Sequence, residues 1–208
     1  MLENIAHQWR QPLSVISTCT SGILLQKEFK TLDDEILVDS LNNIMNTTTY
    51  LSNTIDDFKN FFERDKQKIE FDLAKTVDKT LDLVELSFKN NDIEIRRNYA
   101  KSIMVNNYKN EFMQVLLNII NNAKDAILSK FDNSNDKKII CISIIETEEK
   151  IKIEIQDNAG GVPEDIKDKI FEPYFTTKHQ SQGTGIGLFM TQEIVTKHME
   201  GELEVENK

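Results

Sequence analysis

Gly183-Thr184-Gly185-Ile186-Gly187-Leu188 closes a region, Gly160 to Gly187, that holds five of the seven glycines in the chain. Glycines this dense outside a repeat mark backbone that approaches a ligand closely or takes dihedrals barred to other residues, and phosphate is the usual guest. The stretch opens an apolar-periodic segment, Ile186 to His198, that reads as a helix. No strand precedes it at the dinucleotide-fingerprint spacing, which counts against a Rossmann sheet. Working back from it, Asn158 to Gln182 has little periodicity and reads as a lid or binding loop. Before that, Lys138–Glu146 and Lys150–Gln156 alternate apolar and polar residues as an antiparallel strand pair, preceded by an apolar helix over Lys109–Lys130. Short strands are expected at Ile69–Leu73, Ile93–Asn98 and Ile103–Val105, a helix at Ala74–Lys89, and a final strand at Glu202–Glu206.

The first third has a different rhythm. Leu37, Leu41, Ile44, Thr48, Leu51, Ile55, Phe58 and Phe62 alternate steps of four and three, a heptad seam that packs on other long helices. Leu2, Ile5, Trp9, Leu13, Ile16, Thr20 and Leu24 form a similar stripe earlier, with Phe29 to Asp34 as the turn between the two helices. Two helices bury too little core by themselves. An antiparallel hairpin that a second copy completes into a dimeric four-helix bundle is therefore expected. The charged stretch Glu63-Arg64-Asp65-Lys66 reads as the junction, giving a hairpin domain over 1–64 and a second domain over 65–208.

Composition narrows the function. A net charge of −10 and a pI near 4.9 disfavour nucleic acid, whose backbone requires clustered Lys and Arg. Cys19 and Cys141 are too few and too far apart for a disulfide framework or a zinc site, which fits a reducing cytosol. No apolar run is long enough to cross a bilayer, so this piece is expected to be cytoplasmic.

On a wheel of about 100° per residue His7 lies opposite the apolar stripe of its helix, with Gln11, Ser14 and Thr18 on its face. An exposed imidazole is largely uncharged and nucleophilic at cellular pH, although a lone surface histidine is the ordinary alternative. Pro12, five residues later, removes a hydrogen bond to the Gln8 carbonyl and bends the helix beside it. Asn118 and Asn122 are one turn apart on a helix, and their amide oxygens are acceptable hard ligands for magnesium; a capping or surface asparagine cluster is the alternative. Asp157 ends a strand, where its carboxylate can accept a hydrogen bond from the amine of a base or satisfy a local turn. Tyr174 and Phe175 read as lid anchors, and His179 and His198 as surface residues.

His7-Gln8-Trp9-Arg10-Gln11-Pro12-Leu13 resembles the histidine box of sensor histidine kinases, and the remaining motifs follow in that family's order. Asn118 to Ala126 is similar to its asparagine box, Asp157 to Gly161 to its first glycine box, Phe171 to Lys178 to its phenylalanine box, and Gly183 to Leu188 to its second glycine box. The resemblance implies a phosphoacceptor hairpin followed by a Bergerat-like α/β sandwich that binds ATP and Mg2+. It implies His7 as phosphoacceptor, Asn118 and Asn122 at the nucleotide with Asn122 on the metal, and Asp157 on the base. Gly161, Phe175, Thr177, Lys178, Gly183, Thr184, Gly185, Gly187 and Leu188 would line the nucleotide. It also implies a homodimer and a response-regulator receiver domain that takes the phosphoryl group on an aspartate.

Three departures matter. Gln8 stands where most relatives have an acid, and an amide cannot serve as base. Ala159 replaces a customary glycine, which alters the turn. Asn118 occupies the place of the water-activating glutamate in gyrase-like and chaperone ATPases, which favours transfer over hydrolysis. Gln11 can orient water through its amide, so dephosphorylation of the partner is open to it. A non-catalytic dimeric scaffold that docks a regulator is the rival reading. Only six residues precede His7, so a sensing region, possible membrane anchor included, is expected upstream.

Overall fold

In a computed structural model the backbone is described for residues 2–62, 67–99, 102–131, 136–178 and 185–207, and side chains for the same residues except 2–11, 50 and 53–62. The chain divides into two compact units, Met1–Glu63 with Thr176–Gly185, and Arg64–Phe175 with Ile186–Lys208. The expected junction at 63–66 lies outside the described residues.

The first unit is built on α1 (Leu2–Glu28) and α2 (Asp34–Phe62), which pack on each other. Helix α1 runs without a break through Pro12. Its end is a Schellman turn in which Lys30, at φ 55°, takes the place glycine usually fills: Thr31 N donates to Gln26 O at 2.9 Å and Lys30 N to Lys27 O at 3.2 Å. Asp33 opens α2 by accepting from Glu35 N, and Asp34 and Glu35 place negative charge on its first turn. Thr47, Thr48 and Thr49 each donate to the carbonyl four residues back, which is how a β-branched polar run sits inside a long helix. One chain leaves the seam incomplete: Leu37, Ile44 and Leu51 are half-buried, while Leu13, Leu24 and Leu41 are exposed.

The second unit contains β1 (Ile69–Asp72), α3 (Leu73–Lys89), β2 (Ile93–Asn98), β3 (Met104–Asn107), α4 (Lys109–Lys130), β4 (Lys138–Glu146), β5 (Ile151–Asp157) and α5 (Gly187–Glu193). β1 and β3 form an antiparallel ribbon. β4 is the middle of a three-stranded sheet, parallel to β2 and antiparallel to β5. On β4 the alternation is literal: Ile140, Ile142 and Ile144 are buried and join Val77, Leu81, Leu116, Ile120 and Ile127 of α3 and α4 in one core. Asp72 caps α3 by accepting from Lys75 N at 3.2 Å and from Ser102 Oγ at 2.6 Å, which fixes the turn from β1 into the helix.

Three expectations are corrected. Residues 202–206 form no strand, because they make no backbone ladder with β5 or any other described strand. The strand expected at Ile103–Val105 starts one residue later and reaches Asn107, since Ile103 turns its carbonyl to Leu73 N. The last helix changes type: α5 gives way at Ile194 to a π-helical turn, Ile194–His198, closed by Met199 N donating to Ile194 O.

Candidate functional site

Helix α4 presents Asn118 and Asn122 one turn apart, both half-buried, with Asn121 exposed. Asn118 lies against the start of α5. Its Nδ2 is 3.4 Å from Gly187 O and 3.4 Å from Thr191 Oγ1. A Cβ added at Gly187 would stand 4.0 Å from Asn118 Cγ, an ordinary contact, so the carbonyl of Gly187 and not its missing side chain is what the neighbour uses. Leu188 is half-buried beside it.

At the carboxyl end of β5, Asp157 Oδ1 accepts from Ala159 N at 2.8 Å, the turn role weighed above as the alternative. Its second carboxylate oxygen accepts no hydrogen bond from the described residues and is open to a ligand. The turn that follows is held from three sides. Asn158 ties it to β4, accepting from Ile139 N at 3.0 Å and donating to Lys137 O at 2.6 Å. Lys130 Nζ donates to Asn158 O at 3.1 Å. Asn207 clasps Val162 from both directions, donating to its carbonyl at 2.7 Å and accepting from its N–H at 2.8 Å. Gly160 and Gly161 take φ 97° and 81°, and a Cβ at Gly161 would meet Asn207 Oδ1 at a separation no side chain tolerates.

Beyond the turn, Ile166 to Phe175 is a chain of tight turns anchored by buried Ile170. Tyr174, at φ 70°, and Phe175 are half-buried, so they are less deeply anchored than expected; burial still raises the Tyr174 phenol above its ordinary value. Thr177 is exposed, Lys178 half-buried with its N–H donating to Thr176 Oγ1, and Gly185 has φ 64°. Gly183, Thr184 and His179 lie outside the described residues. His7, Gln8 and Gln11 are in α1, their side chains outside the description.

His198 is not the surface residue expected. Its Nδ1 is 2.8 Å from Oε2 of buried Glu111, and its ring meets Tyr108 edge-on. The sequence carried no local sign of this, because Glu111 and His198 are on separate helical segments that only the fold brings together. Thr191, Lys130, Asn158 and Asn207 were also missed. Asn158 alone had a signal, as a turn asparagine after a strand.

Residues 107–208 match the family described as histidine kinase-, DNA gyrase B- and HSP90-like ATPases. Sporulation kinase A of Bacillus subtilis is 34% identical over 127 residues, 61% of this chain and 20% of its own length. The catalytic domain of histidine kinase ThkA superposes with a TM-score of 0.60 at 26% identity, covering 68% of this chain and 88% of that one. A ThkA structure in complex with response regulator protein TrrA gives 0.69 at 23% identity, covering 100% of this chain and 57% of that one. The class is thus an ATPase-fold nucleotide-binding domain. More particularly, these matches support a catalytic, ATP-binding core of the histidine kinase type. It spans 20–23% of the length of the first three curated relatives it matches.

Proposed function

We propose that this core transfers the γ-phosphoryl group of ATP to the imidazole of His7 and then to an aspartate of a response-regulator receiver domain. The observation that carries the reading is the meeting of two distant motif segments, Asn118 of α4 against Gly187 at the head of α5, in the same unit as an Asp157 with an open carboxylate oxygen. Asp157 would take the adenine amine, giving base selectivity that a phosphate loop cannot supply. The phosphates would lie along the asparagine face of α4 and the amino end of α5; Thr177, Lys178, Gly183, Thr184 and Gly185 are proposed phosphate contacts on their motif resemblance alone. In-line attack by His7 then needs positioning and charge neutralisation more than covalent help.

The donors suit magnesium. Among the described residues no group of three or more His, Cys, Asp or Glu could hold a metal, and amide oxygens supplemented by phosphate and water are what this ion accepts. Asn122 would hold it, and when bound it supplies positive charge against the phosphate oxygens.

The exposed apolar residues of α1 and α2 support a homodimer built on the hairpin. A receiver domain as partner is supported by the ThkA–TrrA complex, which pairs a similar kinase with a response regulator protein. No described helix is long and apolar enough to cross a membrane. Incubation with labelled ATP and Mg2+ tests the proposal: acid-labile, alkali-stable label on the unsubstituted chain and none on His7→Ala is the expected result. Gln8 favours one alternative, a scaffold that binds nucleotide without transferring phosphate, and nucleotide binding with no label at all would select it.

A further inference from the structure

Thr191 is fully buried on α5, where a valine would fill the same space without a hydroxyl to satisfy. Its hydroxyl donates to Gly187 O at 3.0 Å, one turn back. Buried threonines elsewhere in the unit make the same bond and stop there: Thr80 donates to Thr76 O at 2.8 Å, and Thr76 to Asp72 O at 2.7 Å. Thr191 differs in having a third group beside it, the amide of Asn118.

The chemistry of that contact favours one orientation of the amide. A hydroxyl has a single proton, and Thr191 has committed it to Gly187 O. What remains facing Asn118 is therefore two acceptors, the Thr191 oxygen and the Gly187 carbonyl, each at 3.4 Å. The NH2 end of the amide satisfies both of them. Turned the other way, Asn118 Oδ1 would be met only if Thr191 moved its proton from the 3.0 Å bond to a 3.4 Å contact, and it would still stand against the Gly187 carbonyl with no proton between them. The oxygen is thus directed away from α5, and it accepts no hydrogen bond from the described residues.

We infer that Thr191 is a positioning residue for the nucleotide reaction: by spending its proton on Gly187 it fixes the Asn118 amide with its oxygen offered, beside Asn122, to the metal. The inference rests on the nucleotide reading above and names a residue that acts through another. Without the hydroxyl, the amide retains one long bond to Gly187 O and can rotate between two faces, so its oxygen is presented for only part of the time.

Binding of ATP with Mg2+ and of ATP in chelator, measured by titration calorimetry on the whole chain, tests it. Thr191→Val should weaken binding with Mg2+ about three- to tenfold, the range of one neutral hydrogen bond, and leave metal-free binding within twofold. Thr191→Ala, the second variant lacking the hydroxyl, should behave likewise, and Thr191→Ser should restore the Mg2+ effect. Thr80→Val removes a hydroxyl of purely structural use, so it should shift the melting temperature and not the ratio of the two affinities. An unchanged ratio in Thr191→Val and Thr191→Ala, or failure of serine to restore it, overturns the assignment while leaving the nucleotide reading in place. No ATP binding by the unsubstituted chain overturns both.

Discussion

At the scale of single residues, the turn after β5 separates two glycines that look alike in sequence. Both have positive φ, but Gly160 would direct a Cβ at the flexible end of Lys130, 3.3 Å away, and Gly161 at the amide of Asn207. Gly160→Ala should cost about 1–3 kcal/mol, the usual penalty for a strained backbone residue, and Gly161→Ala more, with loss of nucleotide affinity because Asn207 must release Val162. Paired denaturant titrations give the ranking. Asp157→Asn keeps an oxygen for Ala159 N and replaces the open carboxylate oxygen, so adenine nucleotide affinity should fall at least about tenfold while melting changes little; fluorescence titration with a labelled nucleotide reads it. At this scale the motifs were legible and their supports were not. Asp157 and Asn118 stand out by residue type and spacing, whereas Asn207 and Thr191 matter through partners 45 and 73 residues away in sequence.

At the scale of elements, legibility followed periodicity. Helix α4 and strands β2 and β4 have the limits their apolar patterns suggest, since burial on one face dictates the repeat. Residues 202–206 alternate as a strand would, yet alternation does not create a partner, and Asn207 engages the turn with its side chain in place of a backbone ladder. The π turn was invisible because a single extra residue in a helical loop leaves no compositional mark. Ile120, fully buried on α4, should lose about 2–5 kcal/mol of stability as Ile120→Ala, measured by urea unfolding of the second unit's transition. The start of α3 carries a pH dependence. The Ser102 hydroxyl, then the Lys75 amide, hold the Asp72 carboxyl below its ordinary value of 3.8 against the opposing effect of burial. A depressed carboxylate contributes stability that is whole above that ordinary value and is lost as pH falls through the lower folded one. Thermal melts below about pH 4 should therefore drop more steeply in the unsubstituted chain than in Ser102→Ala.

At the scale of the whole molecule, the hairpin and the nucleotide-binding unit differ in how much of their own core they hold. The second unit has a buried apolar core of its own, although Leu83 and Leu86 of α3 are exposed, whereas no large apolar side chain is buried among the described residues of α1 and α2, and Leu13, Leu24, Leu41 and Met45 are exposed at 49–63%. The heptad seam made that incompleteness legible in advance, but the identity of what completes it is not written in a single chain's periodicity. Leu41→Glu with Met45→Glu should convert the proposed dimer to monomer in light scattering coupled to gel filtration, with nucleotide affinity unchanged. The placement of β4 between β2 and β5 has a consequence for biogenesis. β2 pairs with a strand that appears in the chain only after β3 and α4, so no hairpin can form its ladder early. On the ribosome, β2 must wait unpaired until residues 138–146 have emerged, and this domain reaches its native sheet late, by a long-range closure that low-contact-order proteins escape.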